Sequence, residues 1–339
     1  MRYERFLELG RARWQGFGEQ LDRLERRPRE LSHADLERVS IEYRKILHDH
    51  ALVGSRFPGT RAAQGLERLA IRANHLLQWG EERPRLSPLH FYGTVFPARC
   101  RGIAGELVVC ALVMASAALL GLTMTAIDPA VGTAFLGPEA IDGLERGQIW
   151  TDQVRGASSL FSSLIATNNM KVAMTAWAGG VLAGLGAFAV LFFNGFMLGA
   201  VVITTVHFGM GHALFDFIAA HGPLELSLIV VTAAAGVHVG RAIVSPGIVP
   251  RGIRVQRAAA SSALVLLGCL PWFLVLGAVE GFVSPAPTIA PALKLAFGLL
   301  LETVFLILAL RRPRPDPTAS PLSERGTRAG GLAAASGVS

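Results

Sequence analysis

"IAGELVVCALVMASAALLGLTMTAI", Ile103–Ile127, carries one charged residue, Glu106, in 25. As a helix rising 1.5 Å per residue it would reach roughly 37 Å, more than the ~30 Å of a bilayer's hydrocarbon. A run this long and this free of charge predicts a membrane-spanning helix. Composition agrees, since 17% of the 339 residues are charged and 51% are hydrophobic, whereas soluble domains are about 25% charged. The charge is also unevenly placed. Residues 1–102 hold 19 Lys and Arg and 13 Asp and Glu, while residues 103–310 hold eight and ten.

Five further apolar stretches follow. Val172–Phe193 predicts a second span and Phe196–Phe208 a short third, with Asn194–Gly195 of "FFNGF" (Phe192–Phe196) forming the turn between them. Leu224–Ile243 is the fourth, Ala258–Val283 the fifth, with Pro271 kinking it, and Ala292–Leu310 the sixth. Small residues recur four apart in Ala176/Gly180/Gly184, Gly195/Gly199 and Thr232/Gly236/Gly240. Lipid gives helices little hydrophobic reason to associate, so such faces predict close helix contacts, within the chain or in a homo-oligomer.

Arginine sets the expected orientation. Arg251, Arg254 and Arg257 lie between the fourth and fifth spans, with Arg241 just before them at the end of the fourth, and Arg311, Arg312 and Arg314 follow the sixth. The loop 128–167 has two arginines against five acids. Cytoplasmic flanks are the arginine-rich ones. Six crossings then put both termini in the cytoplasm of a bacterial inner membrane and the loop 128–167 outside. The formal charge of +7, from 29 Arg and 3 Lys, is accounted for by this rule, and none of the nucleic-acid-binding motifs is present.

Residues 1–88 read as a cytoplasmic helical bundle with helices near 3–26, 33–50 and 60–80, separated at "GSRFPGT" (Gly54–Thr60). Ser32 and Asp35 have the spacing of a capping box. Residues 89–102, "LHFYGTVFPARCRG", mix aromatics with Arg99 and Arg101, the make-up of an interfacial segment. Residues 103–310 form the membrane domain, and 311–339, rich in Pro, Ser, Gly and Ala, read as a disordered cytoplasmic tail. The expected fold is thus all-α, a polytopic membrane protein of about six helices with an N-terminal helical bundle.

Polar residues gather at the outer ends of these spans. Asn168, Asn169 and Lys171 open the second, His221 and Glu225 the fourth, and Lys294 the sixth, while Glu280 closes the fifth. Glu225 and Glu280 are expected to face Lys171 across the bundle, with Asn168 and Asn169 donating hydrogen bonds, lining an outward-facing polar pocket. Pro223 suits the first turn of the fourth helix, and His221 lies at its cap. Glu106, His238 and Arg241 lie at the inner ends, where snorkelling accounts for them.

Enzyme readings find little support. The chain has no HExxH and no GxSxG, and Cys100, Cys110 and Cys269 lack metal-ligand spacing. No cofactor is expected. A transporter or channel for a small solute or lipid, using the outer polar cluster, is the competing reading, and membrane lipids are expected partners in either case.

Four motifs in order carry a resemblance: "TNNMKVAMTAWAGG" (Thr167–Gly180), "FNGFMLGA" (Phe193–Ala200), "HGPLELSLIV" (His221–Val230) and "EGFVSP" (Glu280–Pro285). In these the chain resembles the stage II sporulation protein M family of integral membrane proteins, over nearly its whole length, and its N-terminal region resembles the family's long members. The resemblance implies a non-enzymatic assembly factor that positions envelope proteins. For the long members it also implies association with an AAA+ ATPase system of the MoxR type. Asn168, Asn169, Lys171, Asn194, His221, Glu225 and Glu280 become candidates for binding or architecture.

Overall fold

The computed structural model describes residues 3–26, 32–80, 87–151, 159–245, 247 and 249–312, with backbone alone at 33, 78–80 and 159–168. Of the tail assigned to 311–339, residues 313–339 lie outside the described residues. All described elements are helical.

The N-terminal region is a bundle of α1 (Tyr3–Glu25), α2 (His33–Arg56) and α3 (Arg61–Gly80). Ser32 caps α2, with Asp35 completing the reciprocal capping box, and the α2–α3 break falls in the expected segment, with Gly59 at φ 75°. Its core holds Phe17, Leu21, Ile46, Val53, Leu66 and Ala73. Asp49, buried beside that core, accepts hydrogen bonds from Arg13 and from Trp14 Nε1 (2.7 Å).

A short link leads to the membrane domain: α4 (Pro88–His90), a π-helical turn (Phe91–Val95) and α5 (Phe96–Gly102). Its aromatics turn inward. Phe96 is fully buried, with its ring in the notch left by Gly268, and Tyr92 donates to the Gly268 carbonyl at 2.8 Å. Arg101 caps the last helix by donating to the Leu310 carbonyl at 3.1 Å. The aromatics of the segment are therefore packed into the protein, while Arg99 and Arg101 stay exposed.

Then follow α6 (Ala104–Ile127), α7 (Pro129–Leu136), α8 (Pro138–Glu145), α9 (Ser159–Gly180), α10 (Leu185–His207), α11 (Gly211–Ile218), α12 (Gly222–Val244), α13 (Arg251–Ala278, prolonged by a π-helical turn Val279–Val283) and α14 (Pro291–Leu310). Among the described residues five helices are long and apolar enough to cross a membrane: α6, α10, α12, α13 with its π turn, and α14. α9 packs among them on α10, α12 and α13. Asn168, Asn169 and Lys171 make it too polar to be counted by apolarity. The helices define two ends. At the bundle end α13 begins inside the N-terminal bundle, where Ile253 is fully buried in its core. There Arg257 donates to Asn74 Oδ1 (3.0 Å) and Tyr43 Oη (3.1 Å). The far end carries the start of α12 and of α14.

The segmentation of the second and third spans differs from expectation. The chain turns at Val181–Gly184, with Ala183 at φ 55° and Gly184 at φ 87°, and α10 runs unbroken through Asn194–Gly195. Asn194 donates to the Val190 carbonyl at 2.8 Å, one turn back along its own helix. Gly195 is occupied by a close approach to the Met114 carbonyl. An Asn-Gly pair makes a turn where water competes for the backbone. In an apolar layer the helix satisfies its own backbone, and the Asn side chain bonds to it as well.

The other small-residue faces do what their spacing predicts. A Cβ on Gly236 would strike the Trp177 carbonyl, one on Gly240 the Gly180 carbonyl, and one on Gly199 the Ala118 carbonyl. Gly184 is the exception, since it shapes the turn. All these contacts are made within one chain. Polar glue reinforces the first crossing. Trp177 Nε1 of α9 donates to Ser262 Oγ of α13 (2.7 Å), which donates to the Ala235 carbonyl of α12 (2.8 Å).

Gly236→Ala should therefore lower the thermal midpoint of the detergent-solubilised protein, costing about 1–3 kcal/mol by overpacking. Gly105→Ala, where the added methyl meets nothing, should leave the midpoint unchanged or raise it slightly. Thermal unfolding of both variants checks the contrast.

Candidate functional site

At the far end, sequence-distant polar groups converge. α12 begins after His221, which occupies its N-cap, and Pro223 lies in its first turn, where the missing N–H costs nothing. Glu225 follows one turn on, its carboxylate 3.8 Å from His221 Nε2. The other ring nitrogen, Nδ1, is 2.7 Å from Ser284 Oγ, just past the π turn. The Ser284 carbonyl accepts a hydrogen bond from Lys294 Nζ (2.8 Å), and Lys294 also pairs with Asp216 of α11 (2.9 Å). On the adjoining side Asn169 Nδ2 of α9 donates to Glu280 Oε2 at 3.0 Å.

These groups are enclosed. Lys294 and Ser284 are fully buried, and His221, Asn169 and Glu280 are nearly so. The Phe217 ring stands edge-on to the His221 imidazole at 5.3 Å, closing one side. In an apolar surrounding an unpaired ammonium is costly, so Lys294 needs both Asp216 and a carbonyl. The result is a chain of contacts, Asp216–Lys294–Ser284–His221–Glu225, beside a separate Asn169–Glu280 pair. It can hold helices in register and keep charges within the apolar layer.

The residues singled out from sequence are distributed as follows. Asn169, His221, Glu225 and Glu280 belong to this cluster. The side chain of Asn168 lies outside those described. Lys171 does not face Glu225 and Glu280. It is exposed and makes no ion pair with a described residue. The reason is helical phase. Two residues along a helix is about 200°, so Asn169 turned inward sends Lys171 outward. The buried cation is Lys294, and its partner is Asp216. Lys294 lies among the outer polar residues in sequence, but α11 and α14 had to fold before its pairing with Asp216 was visible.

A second cluster, also missed, sits at the bundle end. Glu106 of α6 is buried, 3.0 Å from His238 Nδ1 and 3.2 Å from Arg241 Nε, both on α12. The signal was present, a lone acid on a long span and a His–Arg pair three apart on another, but snorkelling explained each residue singly. Among the described residues no group of three or more His, Cys, Asp or Glu is arranged to hold a metal ion.

The family model described as stage II sporulation protein M matches residues 107–285, just over half the chain. The chain belongs to this family. The matched segment runs from α6 through the π turn. It includes Asn169, Asp216, His221, Glu225, Glu280 and Ser284, whereas Lys294 lies beyond it. A second model, a domain of unknown function (DUF8413), matches residues 4–78, which are α1–α3. No curated protein and no solved structure matches. The stage II sporulation protein M segment thus supplies the membrane framework, and the bundle is a separate family unit attached to it through α13.

Lys294→Met should destabilise the protein by about 3–5 kcal/mol, because it removes the cation that the Asp216 carboxylate faces. Adding Asp216→Asn should recover a large part of that loss. A double-mutant cycle on thermal unfolding measures the coupling, and additive effects would show that the pair contributes nothing.

Proposed function

We propose that this member of the stage II sporulation protein M family is a non-enzymatic scaffold or assembly factor of the cell envelope. In this reading it lies in a bacterial cytoplasmic membrane with both termini in the cytoplasm. The observation that carries it is the joint between bundle and membrane domain, where Ile253 of α13 is a core residue of the bundle and Arg257 is held by Asn74 and Tyr43. A charged helical domain fastened rigidly to a membrane frame suits the holding of partner proteins at a fixed place. Orientation is supported by Arg241, Arg251, Arg254, Arg257 and Arg311, which come together at the bundle end.

The far-end cluster fits this role as a structural feature that holds the helices in register, with the expected outward-facing pocket as its finer form. A transporter or channel would need polar groups continuing from one end to the other. Between the two clusters α12 is a buried run of small and apolar side chains, Leu228 to Val237, interrupted by Thr232, whose hydroxyl is bonded to the Leu228 carbonyl. The one acid deeper in the layer, Glu302, accepts from Ser227 Oγ at 2.6 Å. This supports scaffolding over permeation.

The test is crosslinking in native membranes followed by affinity purification of the full-length protein. Recovery of envelope proteins or an AAA+ ATPase, lost when the bundle joint is broken by Ile253→Asp, is the expected outcome. A solute flux in proteoliposomes that disappears with Glu225→Gln would overturn the proposal in favour of transport.

A further inference from the structure

A cavity of about 560 Å³ opens at the bundle end, between α5, α12 and α13. Five basic side chains line it: Arg99, His238, Arg241, Arg254 and Arg257. The rest of its lining is alanine, glycine and serine, which leaves room between the guanidinium groups. Among the described residues a single carboxylate, Glu106, pairs with any of the five, through His238 and Arg241.

The other three arginines keep their charge uncompensated. Arg257 is held by neutral oxygens, those of Asn74 and Tyr43. Arg254 donates to the Ser245 carbonyl, and its Nε is buried with no partner. Arg99 is exposed at the mouth and has no hydrogen bond or ion pair with a described residue. Like charges crowded into one recess repel each other, and a buried donor without an acceptor is unfavourable. Hydrogen bonds among the protein's own groups fix the guanidinium positions but leave this repulsion in place. An anion with several acceptor oxygens removes both penalties at once.

We propose that this cavity binds a phosphate group. Phosphate is the anion that arginine forks match best, accepting from two or three donors at once. The group arrives either on a membrane lipid headgroup or as a free phosphate compound, since the recess lies where the spans end and opens toward solvent through Arg99 and Arg241. Arg257 lines the cavity and also ties α13 to the bundle, so an occupant neutralises the charge at that joint and tightens it. The site is distinct from the far-end cluster and does not rest on the scaffold reading.

Full-length protein in dodecyl maltoside micelles, a detergent that carries no phosphate, and in phosphate-free buffer provides the test, with thermal midpoint as readout. One arm adds phosphatidylglycerol to the micelles, and the other adds inorganic phosphate to the buffer. A rise in midpoint in the first arm alone identifies a lipid headgroup, and a rise in the second identifies a free phosphate. Arg99→Gln and Arg254→Gln should each weaken the response about tenfold in apparent affinity, the weight of one charge-assisted hydrogen bond. Arg44→Gln, on the exposed face of α2, should leave it intact. Arg99 holds no other part of the protein, so its variant keeps the fold. No rise in either arm overturns the proposal, and so does an equal loss in the Arg99 and Arg44 variants.

Discussion

The contact between Gly236 and the Trp177 carbonyl, continued by Gly240 on Gly180, governs the arrangement of the membrane domain. In lipid, side-chain burial gains little, because hydrocarbon tails are as apolar as leucine. What remains is van der Waals contact at short range and hydrogen bonds out of reach of water. Backbone laid on backbone maximises the first, and the Trp177–Ser262–Ala235 relay supplies the second. α12 becomes the most enclosed of the spans as a consequence. Its two termini, His221 and Arg241, then organise the polar clusters at either end.

Those clusters follow from the same absence of water. Lys294, Glu280 and Glu106 cannot be left solvated within the helices that carry them, so each is matched to a group from a different helix. Such pairs contribute modest net stability, because desolvation offsets attraction, but they penalise every arrangement in which the partners are apart. They act on the register of α6 against α12, and of α11 against α14, more than on overall stability. Phe96 in the Gly268 notch and Arg101 on the Leu310 carbonyl tie the link segment to the last two helices in a comparable way.

Much of this was legible from residues alone. The charge-free run after Glu106 announced the first span, helical spacing and the Ser32–Asp35 cap located the bundle, and paired glycines marked the α12 crossing. Two readings failed for identifiable reasons. Asn194–Gly195 has turn chemistry only where the helix does not already satisfy its backbone. Lys171 was matched to Glu225 and Glu280 by level in the bilayer, without regard to the angle that separates it from Asn169. The turn at Ala183 places a non-glycine residue in the left-handed region, which propensity argues against and only the packing of Gly179 on Gly186 imposes. The pairs Asp216–Lys294 and Glu106–Arg241 join residues far apart in the chain, and no local pattern announces them.

α13 has a mechanical meaning beyond its packing. It begins with Ile253 as a core residue of the bundle, passes the notch at Gly268, continues through Pro271 and ends in the π turn that holds Glu280. One continuous rod, roughly 50 Å long at helical rise, therefore has its two tips embedded in different bodies of the molecule. Any tilt or thrust applied to the bundle loads that rod as a lever, and the far tip, gripped by Asn169, feels the displacement without any intervening hinge loop.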